Sequence, residues 1–298
     1  MTSPLVSVII PSYNYSEYIG EAIKSVLTQT FRDLELIVVD NFSTDETQKV
    51  LGCFDDPRMR VIEFKNSGII GASRNVGLME SAGQFIAFLD ADDRWDCNKL
   101  EKMLLELQKG YEFVYHSMCL VDGTGKKLPN YHVGRKLKSP THLDLILNGS
   151  PIINSSVLVS ASALKEIGGF SEDPNLVGFE DFDAWVRLAQ AGIRFRFVKA
   201  FLGDYRVHSR NHTLKDKVLI PYAALGNLQD SLTHRQVSRF ETNYTYQQLR
   251  YNFKNQRSLI TVKDVLSLLF YSKLEFKLKS LYMGLIVLVE NGLDSLRM

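Results

Sequence analysis

The 298-residue sequence predicts an α/β domain with a mostly parallel central sheet and helices on both faces. Short β-branched runs alternate with segments of helical periodicity through the first 64 residues, as in consecutive βαβ units. The composition, 45% hydrophobic and 23% charged, is that of a globular chain able to bury a large core. In addition, an apolar run over residues 85–89 ends in the carboxylates Asp90, Asp92 and Asp93.

The first half of the predicted sheet places polar residues at the carboxyl end of each strand. Its strands are the runs over residues 5–10, 34–39 and 60–64. The helices between them are expected to begin at residues that can cap a helix, which are Ser16 and residues 43–45. Ligands of parallel sheets bind beyond the carboxyl ends of the strands. We therefore expect the segments after the strands to share one edge, namely residues 11–14, 40–41 and 90–93.

The acidic cluster after residues 85–89 is a candidate metal site. In an extended chain residues i and i+2 point the same way, so Asp90 and Asp92 would share a face. Hard oxygen ligands suit Mg²⁺ or Mn²⁺, and Mg²⁺ is typically held by one or two carboxylates together with substrate phosphates. The alternative is an acidic turn without a ligand, because Asp is common in turns and helix caps. The residues by themselves leave both interpretations open.

Two further polar segments are candidates for binding or catalysis. Residues 68–77 form a glycine-punctuated loop that runs into a helix with Arg74 near its start, where a phosphate could bind. A solvated surface arginine is the alternative. The carboxylates Glu180, Asp181 and Asp183 lie in the first turn of another predicted helix. There they either stabilise the helix dipole or provide a general base at the mouth of a cleft.

The remaining predicted elements continue to residue 212. Helices are expected over residues 99–108, 161–167 and 180–189. Strands are expected over residues 112–120, 152–159, 194–198 and 205–207. Residues 123–140, rich in Gly, Lys and Pro, are expected to form a mobile loop. After the last strand, His208 and His212 flank Arg210, a cluster that carries more weight than a lone histidine.

Composition narrows the class of protein. The net charge is +1, from 35 basic and 34 acidic residues, so no global charge favours nucleic acid. Three cysteines argue against a disulfide framework and a zinc site, and indicate a reducing compartment. The N-terminus lacks the basic segment of a signal peptide, and no apolar stretch reaches the roughly 20 residues of a spanning helix. We expect a cytoplasmic protein, soluble or peripheral on a membrane.

Beyond Thr213 the sequence predicts helices rich in Leu, Tyr, Lys and Gln. Residues 213–298 hold 12 basic and 7 acidic residues, a local net charge of 12 − 7 = +5. Apolar residues recur at helical spacing over residues 265–288, with Lys273, Lys277 and Lys279 between them. This pattern predicts either a helix packed on the domain or on a second subunit, or an amphipathic helix on a membrane surface.

Five motifs, in this order, closely resemble the family 2 inverting glycosyltransferases of the GT-A fold. They are Val-Ser-Val-Ile-Ile-Pro-Ser-Tyr-Asn, Ile-Val-Val-Asp-Asn-Phe-Ser-Thr-Asp, Ala-Ser-Arg-Asn-Val-Gly, Asp-Ala-Asp-Asp and Gly-Phe-Glu-Asp-Phe-Asp, within residues 4–212. The resemblance implies a Rossmann-like GT-A catalytic domain over residues 1–212, with a nucleotide-sugar half to about residue 122 and an acceptor half from about residue 123. Residues 213–298 would be a helical C-terminal appendage.

The resemblance also implies roles for single residues. Mn²⁺ or Mg²⁺ would be held by a DxD motif on Asp90 and Asp92, and His208 matches a histidine that often reaches the diphosphate or the metal. Asp181 matches the catalytic base. The donor-binding residues would be Pro11, Tyr13, Asn14, Glu17, Asp40, Asn41, Arg74, Asp90 and Ala91. The acceptor-binding residues would be Asn154 and Glu180.

One position departs from the family pattern. Many members carry two acidic residues where this chain has Asp40 and Asn41, and the second commonly reads uracil. Asparagine can accept from uracil N3–H while donating to a carbonyl, so a uridine donor remains the expectation.

The prediction is an inverting glycosyltransferase that moves a hexose (glucose, galactose or an N-acetylhexosamine) from a UDP-sugar to an acceptor hydroxyl, forming a β-linkage. The resemblance to bacterial surface-polysaccharide and O-antigen enzymes implies a polyprenyl-diphosphate-linked acceptor at the cytoplasmic face of the inner membrane. The alternative to membrane binding by the C-terminal region, residues 213–298, is that this region forms a homodimer. A nucleotidyltransferase should show a glycine-rich loop after the first strand, where this chain has residues 11–14. A sugar-nucleotide-binding module without catalysis is the third candidate.

Overall fold

The computed structural model describes residues 3–208, Thr233 and His234. The strands of the described residues are β1 (Val6–Ser12), β2 (Leu34–Asp40), β3 (Met59–Glu63), β4 (Phe85–Phe88), β5 (Arg94–Trp95), β6 (Phe113–Asp122), β7 (Lys127–Val133), β8 (Val157–Ser160) and β9 (Phe195–Val207). The helices are α1 (Ile19–Leu27), α2 (Thr47–Leu51), α3 (Ile70–Glu80), α4 (Lys99–Leu107), α5 (Thr141–Asn148), α6 (Ala161–Glu166) and α7 (Glu180–Gln190).

The chain divides into two compact units. One comprises Met1–Leu145 and Gly149–Ser209, and the other Ile146–Asn148 and Arg210–Met298. The whole sheet and all the predicted site residues lie in the first unit.

The sheet has a parallel half and a mixed half. The strand order is β3-β2-β1-β4-β8-β6-β9-β5, and β7 pairs with β6 outside this order. The first four strands are parallel, as predicted. β8 is antiparallel to both β4 and β6, while β9 is parallel to β6. The predicted α/β class is confirmed, and the carboxyl ends of β1, β2 and β4 meet at one edge.

Apolar side chains fix β1 in the middle of the molecule. All seven of its residues are buried, because helices cover both faces of the sheet. Val8 and Ile10 belong to the same core cluster as Ile23 of α1. On the other face, a Cβ added to Gly77 of α3 would lie 2.5 Å from Ile9 Cγ2, so glycine permits this close packing.

A second glycine brings α3 close to the segment that leads into α7. A Cβ on Gly71 would lie 2.5 Å from the backbone oxygen of Ser171 and 3.5 Å from side-chain atoms of Glu180. Arg74 lies three residues further along α3, where residues i and i+3 share a face. The missing side chain at Gly71 therefore lets Arg74 reach the start of α7.

Two details at the first strand differ from the prediction. β1 continues through Pro11 and Ser12, since Pro11 pairs in register with Val39 and its fixed φ suits an extended chain. Ser16 does not cap α1, because helix α1 begins after Tyr18. The backbone N–H of Ser16 instead donates to Asp45 Oδ2 at 3.1 Å.

The prediction of a mobile loop over residues 123–140 was wrong. Lys127–Val133 form β7, which pairs with β6 in an antiparallel hairpin. Asp122 closes the hairpin turn, since its Oδ1 accepts from the backbone N–H groups of Thr124 and Lys126. The polar composition of the segment concealed this strand, and α5 was also not predicted.

Two other predicted strands have different bounds. β8 begins only at Val157, because Asn154–Ser156 form a short 3-10 turn. The separate strands predicted over residues 194–198 and 205–207 are one strand, β9, whose register against β6 shifts in the middle.

The predicted helical region over residues 213–298 lies outside the described residues, apart from Thr233 and His234. Arg210 and His212 also lie outside them. The predicted domain boundaries and the membrane-binding or dimer-forming tail therefore stay predictions. No helix within the described ranges is long and apolar enough to cross a membrane.

Candidate active site

The carboxylates after β4 form a tight turn at the carboxyl edge of the sheet. The backbone N–H of Leu89 still donates to Ile9 of β1, at 3.1 Å, and the N–H of Asp93 donates to the carbonyl of Asp90 at 3.0 Å. The Ser155 hydroxyl oxygen accepts from the N–H of Asp90 at 3.0 Å and donates to Asp93 Oδ2 at 2.5 Å. Ser155, which was not predicted, therefore fixes both ends of the turn.

Arg74 lies at the centre of the site. Its side chain is buried, with only 3% of the residue exposed. Nη2 donates to Asp90 Oδ1 at 2.9 Å, and Nη1 donates to Glu180 Oε1. Burial alone would lower the pKa of Arg74, but the charges of Asp90 and Glu180 outweigh burial and raise the pKa above its usual value. Arg74 thus stays charged and joins the acidic turn to α7.

Glu180 binds two groups of the protein through its two carboxylate oxygens. Its Oε1 accepts from Arg74 and its Oε2 accepts from the backbone N–H of Gly178 at 2.6 Å. The residue is buried, and both of its carboxylate oxygens bind groups of the chain itself, so its predicted contact with the acceptor stays a prediction.

Asn154, the other predicted acceptor residue, lies beside Asp90. Its Nδ2 donates to Asp90 Oδ1 at 3.3 Å. The residue is buried, and its Oδ1 has no hydrogen-bond partner within the described part of the chain. Asn154 therefore lies next to the acidic turn, and its predicted contact with the acceptor stays a prediction.

Asp181 follows Glu180 and is half-buried. Its Oδ1 accepts from the backbone N–H of Phe182 at 2.7 Å. Burial, followed by the charge of Glu180, raises the pKa of Asp181 to about 7, while the charge of Arg74 acts in the opposite direction. A carboxyl group with a pKa near neutrality can accept a proton at physiological pH.

Asp92 and His208 face each other across the acidic turn. His208 Nε2 lies 2.9 Å from Asp92 Oδ2. Two neighbouring ligands of an octahedral ion, each about 2.1 Å from it, would be about 3.0 Å apart, so both atoms could bind one Mg²⁺ or Mn²⁺ ion. No group of three or more His, Cys, Asp or Glu among the described residues is arranged to hold a metal. The pair therefore fits a site completed by substrate oxygens and water.

Asp90, the other predicted ligand, is less available for a metal. Its Oδ1 accepts from Arg74 and from Asn154, at 2.9 and 3.3 Å. The two aspartates of the Asp-Ala-Asp motif therefore have different partners. Asp92 faces His208, while Asp90 is held by Arg74.

Arg206 is a site residue that the sequence analysis missed. Its backbone N–H donates to Asp93 Oδ1 at 2.9 Å, and its Nε donates to the carbonyl of Asp92 at 2.9 Å. The residue is buried. Burial, together with the charges of Asp92 and Asp90, raises the pKa of Asp93 well above its usual value. One feature of the sequence could have indicated Arg206, because it is a charged residue within the apolar pattern of a strand, two positions before His208.

The predicted donor residues after β1 and β2 mainly hold the loops together. Asp40 is fully buried, and its carboxylate accepts from the N–H and hydroxyl of Ser43 and from Gln48 Nε2. Asn14 Oδ1 accepts from the N–H of Thr44 at 2.8 Å. The Asp40 carboxylate therefore holds the loop after β2, and its predicted contact with the donor stays a prediction.

Asn41 and the remaining donor candidates differ in exposure. Asn41 Oδ1 accepts from the N–H of Asn66 at 3.0 Å, which engages the oxygen that was expected to read uracil. Pro11 and Ala91 are buried, and Glu17 is exposed. Tyr13 is 51% exposed and lies directly after β1.

Left-handed backbone conformations occur in the three loops that follow β1, β2 and β3. The non-glycine residues with positive φ are Asn14 (57°), Phe42 (52°) and Ser67 (53°). Such conformations are strained for non-glycine residues and are common at functional sites. Phe42 is 51% exposed, so its bulky side chain does not offset the strain by entering the core.

Residues 7–167 match the sequence family described as Glycosyl transferase family 2. TuaG of Bacillus subtilis (strain 168), named as a teichuronic acid biosynthesis glycosyltransferase, is 31% identical over 208 residues, which are 68% of this chain and 79% of that protein. The UDP-Glc:alpha-D-GlcNAc-diphosphoundecaprenol beta-1,3-glucosyltransferase WfaP of Escherichia coli is 29% identical over 209 residues, 69% of this chain and 78% of that protein.

Solved structures share the fold at lower sequence identity. S. aureus TarS 1-349 in complex with UDP-GlcNAc has a TM-score of 0.67 at 19% identity, covering 89% of this chain and 77% of that chain. The mannosyltransferase PcManGT from Pyrobaculum calidifontis, in complex with GDP-Man and Mn²⁺, has a TM-score of 0.60 at 16% identity, covering 99% and 88%. These likenesses confirm the predicted GT-A fold.

Replacing Arg74 by leucine should strongly destabilise the protein, because Asp90 and Glu180 would be left without their buried cation. Removing one partner of a buried ion pair typically costs about 3–5 kcal/mol. The free energy of unfolding, measured by urea titration near neutral pH, tests this. The matched control is Arg194→Leu, whose side chain is 64% exposed and pairs with Glu112 at 4.0 Å, and which should cost about 1 kcal/mol or less. Equal losses in the two variants would contradict a central role for Arg74.

Proposed function

The chain belongs to glycosyl transferase family 2, and we propose that it transfers a hexose from a UDP-sugar to a lipid-linked acceptor with inversion, using a divalent cation. The observation that carries the proposal is the arrangement at one strand edge. Asp92 and His208 form a pair 2.9 Å apart that suits a cation, and Asp181 lies beyond Arg74 with its pKa raised to about 7.

Support for a uridine donor comes from the relatives and from the exposed edge. WfaP is named as a transferase of UDP-Glc, and TarS was solved with UDP-GlcNAc. In this chain the half-exposed ring of Tyr13 offers an apolar face to a base at the end of β1. The hexose is glucose, galactose or an N-acetylhexosamine.

In the proposed reaction, Asp181 accepts the proton of the acceptor hydroxyl as that oxygen attacks the anomeric carbon. The bond from this carbon to the diphosphate oxygen breaks on the opposite face, so an α-linked donor gives a β-linked product. Asp92 and His208 would hold the cation, with Arg74 keeping Asp90 in place beside them. When bound, Mg²⁺ or Mn²⁺ acts as a Lewis acid that neutralises charge on the leaving nucleoside diphosphate.

The acceptor part of the proposal is supported by the relatives. WfaP is named for an acceptor sugar on diphosphoundecaprenol, and TuaG for teichuronic acid synthesis. We extend this to a polyprenyl-diphosphate-linked sugar in the synthesis of a surface polysaccharide such as O-antigen. Residues 213–298, with their excess of basic residues, would then bring the enzyme to an anionic membrane surface at the cytoplasmic side.

A panel of nucleotide-sugars tests the proposal and its rivals. UDP-glucose, UDP-galactose, UDP-N-acetylglucosamine and GDP-mannose are each incubated with Mn²⁺, with and without a polyprenyl-diphosphate-linked sugar. We expect release of UDP that depends on the acceptor and stops in EDTA. Full turnover in EDTA would refute the requirement for a divalent cation. Release of pyrophosphate would indicate a nucleotidyltransferase, and tight binding of a donor without turnover would indicate a binding module.

Asp181→Asn should lower kcat by roughly 10²–10⁴-fold while leaving donor binding nearly unchanged, since the amide cannot accept the proton. Steady-state kinetics and donor affinity by calorimetry measure the two effects. The matched control is Asp183→Asn, because Asp183 lies in the same helical turn but pairs with Arg187 at 2.6 Å. A loss of kcat in the Asp183 variant and not in the Asp181 variant would move the base to Asp183.

The raised pKa of Asp181 makes activity sensitive to pH. A base acts only when deprotonated, so kcat/KM should fall as the pH drops through about 7 and level off above it. The profile is measured with saturating Mn²⁺, and circular dichroism at each pH controls for unfolding. A constant kcat/KM down to about pH 5 would show that the base has an ordinary carboxyl pKa.

A further inference from the structure

The ring of Tyr18 contacts two functional residues at the end of β9. The rings of Tyr18 and His208 are stacked, with centroids 5.2 Å apart and an interplanar angle of 24°. The guanidinium carbon of Arg206 lies over the same Tyr18 ring, 4.6 Å from its centroid. Tyr18 is buried and lies immediately before α1. A residue outside the predicted site therefore touches the imidazole that faces Asp92.

The strand geometry explains why one ring meets both side chains. In an extended chain residues i and i+2 point the same way, and Arg206 and His208 are two positions apart. Glu21, three residues after Tyr18 and so on the same helical face, accepts from Arg206 Nη2 at 2.7 Å. One face at the start of α1 thus holds the arginine by a ring and by a carboxylate.

Arg206 connects this contact to the acidic turn. Its Nε donates to the carbonyl of Asp92 at 2.9 Å, and its Nη1 donates to the carbonyl of Gly123 at 2.9 Å. The Tyr18 ring therefore contacts the His208 imidazole directly. The same ring also packs on Arg206, which in turn binds the backbone of Asp92. A second ring, that of Tyr15, lies edge-on to His208 with centroids 6.0 Å apart.

We propose that Tyr18 is a positioning residue for the metal site, which orients the His208 imidazole so that its Nε2 and Asp92 Oδ2 meet a cation together. The proposal rests on the cation-dependent function proposed above. His208 follows the last residue of β9, so the strand ladder does not by itself fix its side chain. The rings of Tyr18 and Tyr15 contact the imidazole, and Arg206 packs over the Tyr18 ring. Partners that orient metal ligands typically change metal affinity by about 10- to 100-fold when removed.

The test measures Mn²⁺ binding and not activity. The full-length protein is titrated with Mn²⁺ at saturating UDP, and free Mn²⁺ is followed by electron paramagnetic resonance. Tyr18→Leu, which removes the ring, should weaken Mn²⁺ affinity about 10- to 100-fold. Tyr18→Phe, which keeps the ring, should restore the wild-type affinity. Binding of UDP without metal should be the same in all the variants.

The matched control is Tyr111→Leu. Tyr111 also lies under an arginine, with Arg196 5.3 Å from its ring centroid, but at the opposite end of β9. This variant should keep the wild-type affinity for Mn²⁺. Thermal denaturation accompanies every titration, and Tyr18→Met, which fills similar space without a ring, replaces Tyr18→Leu if the latter does not fold.

The outcomes separate this inference from the proposed function. If the wild type binds no Mn²⁺ in the presence of UDP, the cation-dependent function fails and the inference fails with it. If the wild type binds Mn²⁺ and the folded variant without the ring binds it equally well, Tyr18 is only structural and the inference alone is overturned.

Discussion

Three carboxylates within four residues at the buried end of β4 impose the main physical constraint on this protein. Close carboxylates repel each other, and removing each charge from water costs several kcal/mol unless partners replace the solvent. The chain meets this requirement with two buried arginines. Arg74 of α3 donates from its guanidinium to Asp90, while Arg206 of β9 donates from its backbone N–H to Asp93 and from its Nε to the carbonyl of Asp92. The Ser155 hydroxyl adds hydrogen bonds to Asp90 and Asp93. Burial and the charges of Asp92 and Asp90 nevertheless raise the pKa of Asp93. A cation bound at the turn would add the positive charge that such a cluster favours.

The packing of the helices follows from this requirement. Arg74 can reach Glu180 only because α3 approaches the segment before α7 where Gly71 has no side chain. On the other side, Arg206 reaches Glu21 of α1 across 185 positions of sequence. Elements from both ends of the described chain therefore converge on the acidic turn. The contacts that stabilise the buried carboxylates therefore also fix the geometry of the candidate site.

The sequence predicted the elements that depend on local pattern. The first three strands and the edge where their polar ends meet are present. The metal-ligand roles expected of Asp92 and His208 stay predictions, although the two side chains lie 2.9 Å apart. Without the family resemblance the residue pattern could not separate Glu180 from Asp181, because adjacent residues of a helix differ only in direction and the packing of α3 decides which one is buried. Arg206 was missed for a related reason, since its partners are distant in sequence. The hairpin strand β7 was missed because the Gly, Lys and Pro residues of the segment around it are typical of a loop.

Arg74 links the two halves of the candidate site by charge as well as by contact. Its guanidinium pairs with Asp90 beside the metal ligands and with Glu180 next to Asp181. Burial and Glu180 raise the pKa of Asp181, and Arg74 opposes them, so the protonation of Asp181 reflects a balance in which Arg74 is the positive contribution. A neutral side chain of similar shape could fill the space but would leave two carboxylates uncompensated and shift this balance towards protonation. The residue that allows the acidic turn to be buried is therefore also one that sets the charge on the candidate base.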